Sequence, residues 1–109
     1  MEFGEKHFSD GEVLSIHYYR SECRVILAWL GRRYDLIFEE VVALKAFALN
    51  EDVDGTRVES DTPFIGKVHT RYDDPPDDST RSFVIGGSGG DEPLIEVVAE
   101  RCRIEEREL

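Results

Sequence analysis

No stretch of this chain stays apolar for the roughly 20 residues that a membrane-crossing helix needs. Residues 1–6 also lack the basic start and apolar run of a secretion signal, so a cytoplasmic address is the expectation. Cysteine is scarce: Cys23 and Cys102 stand at opposite ends, with no CxxC pair and no histidine at zinc-binding spacing. In a reducing compartment both thiols are expected to act as small hydrophobes, with a bridge open to them only if their strands are neighbours. Bases are the other shortage, 13 against 24 acids, for a net charge of -11. A field of that sign repels phosphate backbones and anionic lipid, which argues against nucleic acid and membrane surfaces. It attracts a basic protein or a cation.

The acid is unevenly spread. Residues 50–79 hold 9 acids and 3 bases, over half of the whole excess in about a quarter of the chain. Two clusters stand out there. Asp73, Asp74, Asp77 and Asp78 flank the rigid Pro75-Pro76 pair, beside Tyr72, and form the expected contact patch for a basic partner. Asn50, Asp52, Asp54 and Asp61, with Gly55 at the turn, match the ligand spacing of a calcium loop. In that pattern Asn50 replaces the first aspartate, Asp61 is one carbon short of a bidentate glutamate, and Arg57 stands where an apolar residue ties the loop down. Calcium binding is therefore an alternative function, with no other cofactor implied.

What the chain has in quantity is two-residue alternation. Leu14, Ile16 and Tyr18 fall on one face of their segment and Ser15 and His17 on the other, the period of a half-buried strand. Strands are expected over 12–20, 23–30 and 33–38 as a meander, with 23–30 apolar on both faces and hence central. In the third, Tyr34, Leu36 and Phe38 share a face. Residues 39–49 contain good helix formers, yet no cap or turn precedes them, so strand continuation past a bend at Glu39-Glu40 is preferred to a short helix. A polar loop is expected over 50–63, and a strand over 64–72 with a bulge near Gly66, because Ile65 and Val68 are out of phase. Strands follow at 80–85 and 94–105, the last with a bulge near Glu100-Arg101 where the apolar phase changes. The reading is one all-β domain over residues 1–109, an antiparallel β-sandwich or flattened barrel of about six or seven strands. Either of the last two strands, if at an edge, offers a route to a homo-oligomer.

Catalytic patterns are missing. Gly86-Gly87-Ser88-Gly89-Gly90 is followed by Asp91-Glu92-Pro93 in place of a lysine and hydroxyl, so it reads as a connection and not a phosphate cradle. Ser15 and His17 lack a third group in the sequence. Glu96 and Glu100, four residues apart on a strand, are expected to be about 13 Å apart and solvent-facing. Trp29, Tyr18 and Tyr34 read as core or core-rim residues, and Tyr19 and Tyr72 as candidates for a binding surface. A non-enzymatic binding role is what remains.

Two segments carry a resemblance: His7-Phe8-Ser9-Asp10-Gly11-Glu12-Val13-Leu14-Ser15-Ile16, and Tyr34-Asp35-Leu36-Ile37-Phe38-Glu39-Glu40-Val41. Over residues 7–47 the chain resembles small, largely uncharacterised bacterial proteins, some grouped as immunity proteins of polymorphic toxin systems. The resemblance implies a domain that binds and neutralises a toxin without catalysis. An acidic protein facing a basic nuclease fits that role.

Overall fold

The computed structural model describes residue 3 and residues 8–47, 52–60, 62–71, 80–87 and 93–108, the side chain of His69 excepted. In chain order the elements are β1 (Glu12–Tyr19), β2 (Glu22–Trp29), β3 (Arg32–Glu39), β4 (Ala43–Ala46), β5 (Val53–Glu59), α1 (Pro63–Arg71), β6 (Arg81–Gly87), β7 (Pro93–Ala99) and β8 (Arg101–Glu108). They form two antiparallel four-stranded sheets, ordered β1-β2-β3-β8 and β4-β7-β6-β5. This is the all-β sandwich that the alternation predicts, with β2 interior to its sheet.

The meander is held by local chemistry. Leu30 and Gly31 both take left-handed backbone (φ 50° and 76°), the geometry of a two-residue hairpin turn that matches strand twist. In β1 the alternation breaks once. Val13 pairs with Leu27 and Ser15 with Ile26, so Leu14 is a bulge residue without a partner. Val13 and Ile16 therefore pack on the core while Leu14 turns out, 48% exposed. Leu14, Ile16 and Tyr18 do not form one buried row.

The core lies between the sheets. Phe38 sits edge-on to Phe3 at 5.7 Å and tilted against Phe83 at 5.5 Å, joining both layers. A second aromatic group closes one end, where Phe8 meets Trp29 and Tyr34 at 5.1 Å each. Cys23 and Cys102 are the two cross-strand partners of Phe38, one on each side. They are thus about two strand spacings, or roughly 10 Å, apart, too far for a disulfide. Gly11 guards the same end: its N–H donates to the Phe8 carbonyl at 2.8 Å, and a Cβ at residue 11 would lie 2.8 Å from that oxygen. Gly11→Ala should therefore lose about 1–3 kcal/mol, the usual cost of overpacking, as a lowered urea midpoint. An unchanged midpoint would mean that the approach of these two segments is loose.

The strand continuation expected past a bend at Glu39-Glu40 is present: Glu40 bends the chain (φ 55°) and Ala43–Ala46 resumes as β4, in the other sheet, with no helix among the described residues of 39–49. Several other expectations need correction. The helix is at 63–71, where a bulged strand was expected. Thr62 Oγ1 accepts from the Ile65 N–H at 3.1 Å, an N-cap, and Pro63 follows at the first helical position. The three-residue spacing of Ile65 and Val68 was a helical stripe, and both pack on Val98. The polar loop expected over 50–63 contains β5, whose inward residues Val53 and Thr56 are buried while Asp54, Arg57 and Val58 are exposed. The last strand is two. Its phase change near Glu100 marks the crossing of the chain from one sheet to the other, because a strand that changes layers must turn its opposite face to the core. The strand at 80–85 is no edge either, since β6 pairs with β5 and β7; among the described residues the edges are β1, β8, β4 and β5.

Candidate functional site

The outer face of the first sheet explains much of the charge. Ser15, Ile26, Asp35 and Glu105 stand in one cross-strand row, flanked by the row His17, Arg24, Ile37 and Arg103. Asp35 is fully buried (0% exposed) beneath arginines: Arg33 grips it with two bonds of 2.8 and 3.1 Å, Arg24 reaches it at 3.2 Å and Arg107 at 3.5 Å. The Arg33 hydrogen bonds, with the positive charge of Arg33, Arg107 and Arg24, hold the Asp35 carboxyl below the usual carboxylate range against the opposing cost of burial. Bonds from Arg107 and Arg103 likewise lower Glu105. Charge is paired across this face, and Ile37 is sealed beneath it as arginine stems seal apolar surface. Ser15 Oγ and His17 Nε2 are 3.1 Å apart here, but the cross-strand neighbour of His17 is Arg24, which binds Asp35. That is not the arrangement of a nucleophile and base.

The free edge of β1 is different. Tyr18 and Tyr19 are 50% and 71% exposed and, being successive strand residues, lie on opposite faces of the edge strand, near the bulged-out Leu14. Asp10 and Glu12 at one end of the strand and Glu22 at the other are exposed acids. Tyr18 also walls an apolar groove of about 510 Å³ between β1, β4 and α1, floored by Leu44, Phe64 and Val68. Lys67 and Arg71 stand at its margin. Large exposed rings beside an unpaired strand edge are the makings of a protein interface.

A second constellation lies on the outer face of the other sheet. Register aligns Lys45, Glu96, Val84 and Arg57 across four strands, with Ala43, Val98, Ser82 and Glu59 in the next row. Helix α1 covers the apolar end of the second row, and its capping residue reaches the first. Glu96, expected at the surface, is only 5% exposed. Its Oε2 accepts from Thr62 Oγ1 at 2.6 Å and Ser82 Oγ at 2.5 Å. A cavity of about 450 Å³ opens above it. Sequence reasoning missed this site because its members come from five separated elements; the one local signal was Thr62-Pro63, a helix start.

The residues singled out from sequence fare unevenly. Tyr72, Asp73, Asp74, Asp77 and Asp78 lie outside the described residues, as do Asn50 and Asp61. Asp52 and Asp54 are exposed, and Asp54 is the bulge residue between Val53 and Gly55 in β5. A segment paired in an extended ladder from 53 to 59 does not wind around an ion, so the calcium-loop geometry is not present there. Among the described residues no group of three or more His, Cys, Asp or Glu side chains gathers into a metal site. Burial pushes both thiols up, Cys23 to about 11, so neither is an activated nucleophile.

Of the charged residues, twelve of the thirteen bases but only fourteen of the twenty-four acids fall within the described residues. The described framework is close to neutral, and most of the acid excess belongs to the remaining residues. No helix of the described residues is long and apolar enough to cross a membrane. No known protein family, curated protein or solved structure matches the chain, so its role has to be argued from this geometry alone.

Proposed function

We propose that the domain acts by binding another protein, a basic one, and that it carries out no reaction of its own. The observation that carries this reading is the β1 edge, unpaired among the described residues, where Tyr18 and Tyr19 stand exposed on opposite faces, with Asp10 and Glu12 at one end and Arg20 and Glu22 at the other. Tyrosines supply large contact area at little entropic cost, and the Tyr18 ring accepts a lysine or arginine side chain of a basic partner, whereas Arg20 of this chain already lies 5.3 Å over the Tyr19 ring. A net charge of -11 steers such a partner toward the domain. Asp73, Asp74, Asp77 and Asp78 are proposed to supply the long-range attraction, while the edge supplies the anchor. Neutralisation of a basic toxin or nuclease domain is the form of this role that the resemblance over residues 7–47 implies, and a cytoplasmic site of action follows from it.

The test is to purify the basic protein retained by the immobilised domain and titrate it against parent and variant. Truncating both rings (Tyr18→Ala with Tyr19→Ala) removes side chains that contribute little to the core. At about 2 kcal/mol for each anchoring aromatic, binding should weaken roughly 30-fold or more, with melting temperature unchanged. Raising salt should slow association in the parent. Growth of cells expressing the partner should recover with the parent and not with the variant. Equal affinity for parent and double variant, or retention of acidic proteins only, would refute the proposal.

A further inference from the structure

The protein-binding reading makes no use of Glu96. Both of its hydroxyl donors go to Oε2. No other described donor reaches Oε1, and because no buried side-chain oxygen of the described residues lacks a partner, Oε1 must open onto the cavity that Glu96 lines. A carboxylate so deeply placed gains most from a charged donor, since its own burial is costly until it is paired.

The cavity walls describe what brings that donor. Lys45, Arg57 and Lys67 face it together with Glu59 and Glu96, and Pro63, Phe64 and Pro93 give it apolar sides. Among the described lining residues three bases stand against two acids, and Arg57 already pairs with Glu59 at 2.5 Å. A phosphate would set further negative charge beside two carboxylates, and a polyamine would meet three cations. Lys45 is the direct cross-strand partner of Glu96, about 5 Å away at Cβ. Lys67, exposed on α1, has no carboxylate within salt-bridge reach among the described residues, so one cation beside the site is available to an incoming anion. The volume, about 450 Å³, falls in the range of small-ligand sites. Thr62 and Ser82 fix Glu96 in place beforehand, as a binding group requires.

We infer that this cavity binds a small zwitterion of the α-amino acid type, with its ammonium group on Glu96 Oε1, its carboxylate on Lys67, and its side chain against Phe64 and the two prolines. The inference is independent of the partner-binding proposal and uses a different face of the fold.

L-Leucine, L-glutamate and L-arginine, titrated singly into the full chain, sample apolar, acidic and basic side chains. Binding is read by calorimetry and by amide shifts of Phe64, Lys67 and Glu96. At least one should saturate with a Kd near or below about 1 mM, a reasonable strength for so small a ligand. If leucine is the ligand, 4-methylpentanoate, lacking the amine, and 3-methylbutylamine, lacking the carboxylate, should each bind at least tenfold more weakly; equivalent deaminated and decarboxylated analogues serve for the other two. Glu96→Gln should weaken the amino acid at least tenfold and Lys67→Gln several-fold, while Arg32→Gln, on β3 of the other sheet, leaves it unchanged. Should Glu96→Gln melt early, Lys67→Gln on the helix surface and the analogues still decide the matter. No saturation by any of the three amino acids overturns the inference. So does equal binding of the deaminated analogue, or indifference to Lys67→Gln.

Discussion

Phe38→Ala is expected to cost 3–5 kcal/mol, the usual toll for truncating a fully buried aromatic side chain. Total stability for a domain of this size is only about 5–15 kcal/mol, so the variant should stand close to unfolding at room temperature. The reason lies in where Phe38 sits. It is the middle residue of the row Cys23, Phe38, Cys102 in one sheet, and its ring meets Phe83 of the other and Phe3 between them. Removing it opens space that no neighbouring backbone can fill, because both sheets are held apart by their remaining side chains. Trp29 is the single tryptophan, packed against Phe8 and Tyr34 at the far end of the core, so its fluorescence reports unfolding without touching the mutated site. The matched control is Leu14→Ala, exposed at its bulge, which should change stability by no more than about 0.5 kcal/mol. A Phe38→Ala loss as small as that of Leu14→Ala would mean that the two layers do not meet at this residue.

Asp35→Asn should have the second largest effect, and its signature is in the pH dependence. The side chain keeps its shape but loses the charge that accepts from Arg33, Arg24 and Arg107. Hydrogen bonds to charged groups contribute about 1.5–3 kcal/mol each at most; the arginines are one-third to one-half exposed and rehydrate when released. A net loss of about 2 kcal/mol at pH 7 is the expectation. The sign of the pH effect follows from the lowered folded-state pKa. Between that value and the ordinary carboxylate value near 3.9, the unfolded chain binds more protons than the folded one, so stability rises with pH. The contribution of Asp35 is complete above about pH 4 and disappears as pH falls through its depressed pKa. Urea midpoints of parent and variant should therefore differ most at pH 5–7 and draw together toward pH 2. Parallel curves down to the lowest pH would show that Asp35 is not held ionised by the arginines. Glu105, lowered by Arg107 and Arg103, titrates in the same direction.

Much of the scaffold could be read before any coordinates. The alternation from residue 12 to 38 is local: each strand writes its own pleat. Even the bend at Glu39-Glu40 was visible, because no cap separated it from the strand before. The errors share a cause. Ile65 and Val68 read as a bulged strand because two apolar residues cannot distinguish a short helical stripe from an irregular pleat; Thr62-Pro63, as a cap and first turn, is the signal that separates the two. The strand Val53–Glu59 reads as loop because an edge strand with one buried face has few apolar residues to show. The phase change near Glu100 has two meanings, since a bulge and a change of sheet leave the same mark in the sequence.

The sites were less legible than the scaffold. Tyr19 was singled out for its charged surroundings and is highly exposed on β1, but Tyr18 shared a phase with residues expected in the core. Glu96 resembled any solvent-facing acid in an alternating strand. It is buried because Thr62 at the cap of α1 and Ser82 on β6 converge on it from 34 and 14 residues away.

From the one-dimensional chain came the β class, the hairpins and the acidic character, because period, turn chemistry and charge act between near neighbours. Which strands became edges, which carboxylate was covered by a helix, and which tyrosines were left outside depended on how eight strands sort into two sheets. That sorting is set by contacts between distant residues, where burial of a shared core outweighs the preference of any one segment.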